Sequence, residues 1–440
     1  MNVNAVLGDD YIIRGCRLLG GTPVDIRVQS GVIVAIDSAS EQITSYGPSI
    51  DARGLIMLPG LVDLHTHLRE PGGEDAESIA SGSRAAAAGG YTDVFAMANT
   101  NPVTDSLERL ATVLVAAAAQ NSCRVHPIGA ITIGLGGAEI APLSKLAEAG
   151  VRMFSDDGKC VDDAKIMLDA LTLAAEHGFL VAQHAQHREL CGAGQINAGP
   201  VATSTGLAPW PGIGEEAIIA RDILLAAETG GALHVCHVST ARSVELVRFA
   251  KAQGWLVSAE VTPHHLLLTD DLASLGNARY KVNPPLRSTH DVTALRRGLL
   301  DGTIDIVATD HAPHTANRKL GDWCDAAFGM TGLETALAVI VHVLAQSGKV
   351  DWALVARVMA ESPARLGRID DRAGRPIAVG ESATFCLLDE EREWEVTKTA
   401  HVSKSANNPF IGCVFRTAVI ATAIDGRLTF ASADIAIDQR

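Results

Sequence analysis

The sequence predicts an α/β chain, a (β/α)8 TIM barrel beside a small β-sandwich module to which both chain ends contribute. Three observations predict it. From about Thr92 onward, short apolar runs rich in β-branched residues alternate with longer Ala/Leu-rich stretches, the pattern of a parallel sheet with crossover helices. Eight such runs can be counted, and five deliver metal-ligand types at or near their ends, where a barrel places its active site. The two ends instead carry short alternating segments, each too small to bury a core alone.

In chain order, the strand candidates are Leu61 to His67, Thr92 to Asn99, Arg124 to Ile131, Val151 to Asp157, Phe179 to Ala185, Ala232 to Ser239, Leu256 to His264 and Asp305 to His311. Helical stretches lie between them at Ala76 to Ala88, Ser106 to Ala119, Asp162 to Glu176, Glu215 to Glu228, Thr240 to Gln253 and Asp291 to Leu300. No GxGxxG opening follows the first strand, which argues against an open doubly wound sheet. The expected division is 1–58 for the first part of the β-module, 59–370 for the barrel and 371–440 for the second part. The module's strand candidates are Tyr11 to Arg14, Asp25 to Val28 and Val32 to Ile36, then Ala383 to Leu388, Val414 to Ile420 and Arg427 to Phe430.

The 440 residues exceed what one hydrophobic core accommodates, and 47% hydrophobic with 20% charged residues describes a folded chain. A net charge of −15, from 36 Lys and Arg against 51 Asp and Glu, disfavours nucleic acid and anionic membrane as partners. No apolar stretch is long enough to cross a bilayer, and Met1 to Asp10 lack a basic segment followed by an apolar run, so a cytoplasmic protein is expected. Cys16, Cys123, Cys160, Cys191, Cys236, Cys324, Cys386 and Cys413 form no CxxC pair and are expected to be reduced thiols, several of them in the core.

The strand ends carry the chemistry. The first run ends in Asp63-Leu64-His65-Thr66-His67, the fourth in Ser155-Asp156-Asp157, the fifth in Gln183-His184, the sixth in Cys236-His237 and the eighth in Thr309-Asp310-His311. His65 and His67, two apart on an extended strand, project to one face and can grip one cation. Alone, such a pair is more often a polar strand end than a metal site. What singles it out is the apolar run before it and Leu68-Arg69-Glu70-Pro71-Gly72 after it.

HTHLREPG resembles the signature of type I dihydroorotases, and AMANTNP, FSDDG, TPHHLLL, NPPLR and ATDHAPH are similar, in order and spacing, to further blocks of that family. The resemblance covers nearly the whole chain. It implies a cyclic amidohydrolase of pyrimidine biosynthesis that reversibly closes N-carbamoyl-L-aspartate to L-dihydroorotate. It also implies two Zn2+ per subunit, held by His65, His67, Asp157, His184, His237 and Asp310. Many relatives, hydantoinases included, place a carbamylated lysine between the metals. No lysine ends the fourth run, and Asp157 is expected there, because a carboxylate can span two cations. Asp156 is its rival, with Lys159 displaced past the strand end. His187 competes with His184, and His234 with His237; the latter two, three apart on a strand, should face opposite ways, and the resemblance selects His237. His264 and His265 are expected in packing or hydrogen bonding.

Asp310 is expected to be the general base that passes a proton to the leaving ring nitrogen. Arg69 suits the ring carboxylate, since a guanidinium holds a carboxylate by two parallel hydrogen bonds; its competing reading is a surface ion pair. Asn99 and His314 resemble the family's other carboxylate contacts, His67 borders the substrate, and Asn283 with the backbone of Phe328 and Gly329 would read the ring's amide edge. Asp75, Glu77, Arg84 and the acidic run Asp389 to Glu395 are expected to be solvated. Hydantoinase or allantoinase chemistry is the alternative within the fold. A catalytically silent partner of aspartate transcarbamoylase is the alternative outside it, although every expected ligand is present. A homodimer and an association with aspartate transcarbamoylase stay open.

Overall fold

Alternating apolar and polar residues near the N-terminus make strands that bury one face. The computed structural model describes residues 4, 7–39, 47–319, 321–346 and 348–438. β1 (Asp10–Leu18), β2 (Pro23–Gln29) and β3 (Val32–Ser38) form an antiparallel meander, followed by β4 (Ser49–Asp51) and β5 (Ile56–Pro59). β1 slips register between Ile13 and Cys16, so that Ile12, Ile13 and Arg14 pair with β4 while Arg17 and Leu18 pair with β5. Gly15 sits at this slip with φ 69°, where a Cβ would lie 2.6 Å from Arg53 Cγ.

The barrel follows. β6 (Leu61–Thr66), β7 (Tyr91–Ala96) and β8 (Arg124–Pro127) form one parallel ladder. β9 (Met153–Ser155) and β10 (Leu180–Gln183) continue, after the small pair β11 (Ile196–Asn197) and β12 (Pro209–Trp210), into β13 (Ala232–Val235), β14 (Val257–Val261) and β15 (Ile306–Val307). Single bridges, Gly129 to Phe154 and Thr66 to His311, join the two ladders and close the ring. All eight expected strands are present, and several are shorter than their apolar runs. The residues that follow them therefore lie in turns at the barrel mouth.

Val62, Leu64, Phe95, Ile128, Met153, Leu180, Ala182 and Ile306 fill the barrel interior, and the apolar residues of the other strand faces pack on surrounding helices. Those helices, Ile79–Ala88, Leu107–Ala118, Ala164–His177, Ile213–Thr229, Ala241–Ala252 and Thr289–Leu300, fall on the predicted stretches. Ser78, Ser106, Asp163, Thr240 and Ser288 cap five of them by accepting from first-turn N–H groups.

The chain then returns to its beginning. β16 (Phe385–Glu395) pairs antiparallel with β5, Cys386 opposite Leu58, and continues through β17 (Val414–Ile424) to β18 (Arg427–Ala431), while β19 (Ala436–Asp438) pairs with β4. Strands from both ends thus form one sheet folded over one core, with Ile13, Ile26, Val28 and Ile50 meeting Phe385, Leu387 and Ala421. No helix among the described residues is long and apolar enough to cross a membrane. All eight cysteines are free thiols, five of them buried.

Candidate metal and substrate site

A bulge in β6 aims the first two imidazoles. Asp63 pairs with Val94 and Thr66 with Ala96, so three steps on β6 face two on β7. The extra residue reverses the alternation, and His65 and His67 follow Val62 and Leu64 to the interior. Asp63 fixes the bulge by accepting from His65 N at 3.0 Å, Thr309 N at 3.1 Å and Thr309 Oγ1 at 2.6 Å; burial pushes its carboxyl up to about 6. Arg69 (φ 62°), His237 (φ 31°) and Asp310 (φ 46°) leave their strands with positive φ. Such backbone costs about 1–3 kcal/mol per residue and gathers at functional sites.

Asp157 stands at the centre of the cluster. Its Oδ2 lies 3.4 Å from His65 Nε2 and 3.3 Å from His67 Nε2, and its Oδ1 lies 3.1 Å from His184 Nδ1 and 3.2 Å from His237 Nε2. Asp310 Oδ1 is 3.0 Å from His67 Nε2 and 3.6 Å from His65 Nε2. Two triads of metal-ligand types result, His65 with His67 and Asp310, and Asp157 with His184 and His237. A third grouping, His65 with Asp157 and Cys236, adds a thiol that the sequence reading placed in the core.

Three imidazoles engage an oxygen through the ring nitrogen that faces away from the cluster. His65 Nδ1 lies 2.5 Å from Glu260 Oε1, His67 Nδ1 2.9 Å from Asn99 Oδ1, and His184 Nε2 2.8 Å from Gln186 Oε1. Donating there leaves the other nitrogen unprotonated toward the cluster, the tautomer a metal ligand needs. His65 Nε2 is buried with no hydrogen-bond partner. Burial disfavours charge on His65 and His67, yet the carboxylates beside them raise both above the ordinary imidazole range; the imidazoles in turn hold Asp157 and Asp310 low against burial.

The rivals lie elsewhere. Asp156 accepts from the backbone of Ile131 and Thr132 at 2.8 and 2.9 Å and from the Thr132 hydroxyl. Lys159 Nζ donates to the Leu135 carbonyl at 3.2 Å, and His187 caps the helix Arg188–Cys191. His234 and His237 were expected to face opposite ways, but both side chains turn inward, His234 Nε2 to Glu260 Oε2 at 3.0 Å and His237 Nε2 to Asp157 Oδ1 at 3.2 Å. Alternation ends with β13 at Val235, and the positive φ of His237 turns it inward. His265 bonds Thr262 and the Pro284 carbonyl, and burial pushes His264 down to about 4.

Two acids were missed. Glu260, a lone carboxylate in the apolar strand β14, orients His65, His234 and the His237 backbone. Its one signal in the sequence is a charge where an apolar residue belongs. Glu77, expected to be solvated, is fully buried, accepts from the Ser81 and Ser403 hydroxyls and lies 3.5 Å from His311 Nε2. Ser403 is 326 positions away, so nothing near Glu77 in the sequence reveals the contact.

A cavity of about 250 Å³ opens on the cluster, and His67, Arg69, Asn99, Asn283, His314, Phe328 and Gly329 line it with Asp157, His184 and Asp310. Arg69 is half-buried and donates through Nε to the Pro313 carbonyl at 3.1 Å; burial lowers it to about 10. Asn283 Nδ2 donates to Gln186 Oε1 at 2.9 Å. His314 Nε2 donates to the Phe328 carbonyl at 2.7 Å, and burial with Arg69 nearby pushes its pKa to about 3. Gly329 has φ 131°, and a Cβ there would lie 2.9 Å from His314 Nε2.

Asn407 gathers both ends of the loop that carries these groups. Its Nδ2 donates to the carbonyls of Ala312 at 3.0 Å and Gly329 at 3.2 Å, its Oδ1 accepts from His314 N at 3.0 Å, and its carbonyl accepts from Thr331 N at 3.2 Å.

The chain is similar to known proteins over nearly its whole length. A family model described as Dihydro-orotase-like matches residues 54–243. The chain is 49% identical over 428 residues to the dihydroorotase of Streptomyces coelicolor, covering 95% of this chain and 99% of that protein. It is 47% identical to the dihydroorotase of Mycobacterium tuberculosis, covering 95% and 97%. Among solved structures it is similar to the L-hydantoinase (dihydropyrimidinase) of Arthrobacter aurescens, with a TM-score of 0.86, 26% identity and 98% of each chain covered. The dihydropyrimidinase of Brevibacillus agri, at 23% identity, TM-score 0.82 and 97% and 96% coverage, shares the fold. By its near full-length likeness to these relatives, the chain belongs to the dihydroorotase family.

Proposed function

We propose that this chain is a dihydroorotase that interconverts N-carbamoyl-L-aspartate and L-dihydroorotate, with two zinc ions held by His65, His67, Asp157, His184, His237 and Asp310. The observation that carries the reading is Asp157, whose two oxygens divide between the His65–His67 pair and the His184–His237 pair, an arrangement that would let it serve both ions. The partnerless His65 Nε2 and the outward bonds of His65, His67 and His184 fit the same occupant. When bound, the metals lower the pKa of a water to about 7 and polarise the amide carbonyl.

The chain's own residues do the rest. Asp310, beside His67, takes the proton of the attacking water and returns it to the ring nitrogen as the amide bond breaks. Ring closure runs the same path backwards. Arg69 has its Nε on Pro313 and no carboxylate partner among the described residues, so its two terminal nitrogens are left for the ring carboxylate. Asn99 and His314 flank that carboxylate, and Asn283, Phe328 and Gly329 border the ring amide.

Closure joins the ureido nitrogen to the β-carboxyl carbon, releases one oxygen as water and consumes one proton. The equilibrium ratio of dihydroorotate to N-carbamoyl-L-aspartate should therefore fall about tenfold per pH unit near neutrality. The deciding assay is turnover of L-dihydroorotate beside hydantoin and allantoin, with and without a chelator. Dihydroorotate should be preferred and the chelator should abolish its turnover. A preference for hydantoin would overturn the assignment. Arg69→Met should raise KM for dihydroorotate by about 10–100-fold with metal content unchanged; an unaltered KM would remove Arg69 from the substrate.

A further inference from the structure

A second cavity, of about 260 Å³, shares His314 with the site above and is walled by Arg279, Lys319, Lys398, Lys404 and Asn407. Four cations and no carboxylate line it, in a chain where 51 acidic side chains outnumber 36 basic ones. None of the four makes an ion pair among the described residues. Arg279 donates to the Ile411 carbonyl at 3.2 Å, Lys319 to those of Lys281 and Ala327 at 3.0 and 2.9 Å, and Lys404 to that of Glu74 at 2.9 Å. Lys398 is exposed and has no partner among the described residues. Many cations elsewhere among the described residues, Arg17, Arg109 and Arg375 among them, are paired with carboxylates, although Arg69 and Lys159 are not.

Like charges around so small a volume repel one another, and an anion relieves that repulsion. Burial pushes Lys319 down to about 7, so at neutral pH three full charges and part of a fourth face the cavity. We propose that this cavity is a second anion site, an antechamber beside His314 that takes small molecules bearing two carboxylates or a phosphate group. Two sources share that chemistry, the substrate itself and a phosphorylated small molecule. The substrate form rests on the dihydroorotase reading, since N-carbamoyl-L-aspartate carries two carboxylates and L-dihydroorotate one.

The test uses the metal-loaded protein and the double variant Lys398→Glu/Lys404→Glu, which alters two exposed side chains outside the catalytic pocket. Calorimetric titration with inorganic phosphate at an ionic strength of about 0.01 M reads the site without turnover, and affinity should fall at least about fivefold in the variant. For a substrate antechamber, KM for N-carbamoyl-L-aspartate rises about fivefold and that for L-dihydroorotate about twofold, with kcat unchanged. Both differences should vanish near 1 M salt, where the Debye length is about 3 Å. Weaker phosphate binding with unchanged KM values assigns the cavity to a phosphorylated ligand instead. Equal phosphate affinity and equal KM values in the two proteins would overturn the anion site. Phosphate binding that depends on Lys398 and Lys404 in a protein that does not turn over dihydroorotate would leave the cavity standing and remove the proposed activity.

Discussion

The proposed cation side and the proposed substrate side of the pocket are positioned by different means. His65, His67, Asp157, His184 and His237 stand at the mouths of β6, β9, β10 and β13, where Asp63 and Glu260 tie His65 and His237 to neighbouring barrel strands. Arg69, His314, Phe328 and Gly329 stand on connections, and His314 and Gly329 are held by Asn407, 78 positions beyond Gly329. Groups at strand ends inherit the order of the ladder, whereas groups on loops need a clamp from another part of the chain. Damage to the first region should remove the chemistry, and damage to the second should loosen the substrate.

The sharpest test of that contrast is Asp310→Asn, for which kcat should fall about 10²–10⁴-fold with KM little changed, in steady-state assays run in both directions. A variant near wild-type rate would take the proton transfer away from Asp310. Next comes Glu260→Gln, which deprives His65 of its charged acceptor and should weaken metal retention about 10–100-fold in a chelator competition. Unchanged retention would mean that the barrel holds His65 without it.

Asn407→Ala tests the other side. It removes three side-chain hydrogen bonds, each worth about 0.5–1.5 kcal/mol, and should raise KM about tenfold while kcat and metal content hold. A matched loss of kcat and metal would erase the distinction between the two regions. The smallest effect belongs to Lys319, whose ammonium is held down to about 7 from 10.5 by burial and by Lys281. Between those values the unfolded chain binds more protons than the folded one, so stability rises with pH and is lost as pH falls toward 7. Relative to Lys319→Met, the wild-type Tm should climb from pH 7 to pH 10, measured by thermal melts; parallel curves would contradict the lowered pKa.

Much of this was legible in the sequence because both signals are local. Apolar runs alternating with Ala-rich helices mark the barrel, and His or Asp closing an apolar run marks its mouth. The choice between Asp156 and Asp157 was not legible, since adjacent residues differ only in which way the backbone turns them, and Asp156 proves to be taken by Ile131 and Thr132. The bulge that aims His65 and His67 leaves a trace in the shift of parity after Val62 and Leu64, yet only pairing with β7 reveals it. Glu77 and Asn407 act on partners hundreds or tens of positions away, which no local pattern encodes.

The pairing of β5 with β16 has a consequence for synthesis on the ribosome. At roughly 5–20 residues per second, the roughly 330 residues between these strands leave the β5 edge open for about 20–60 s after it emerges. Throughout that interval the nascent chain presents a hydrophobic strand border able to recruit other chains. A transcript cut short after the barrel would leave that border open permanently and should yield inclusion bodies in place of a smaller enzyme.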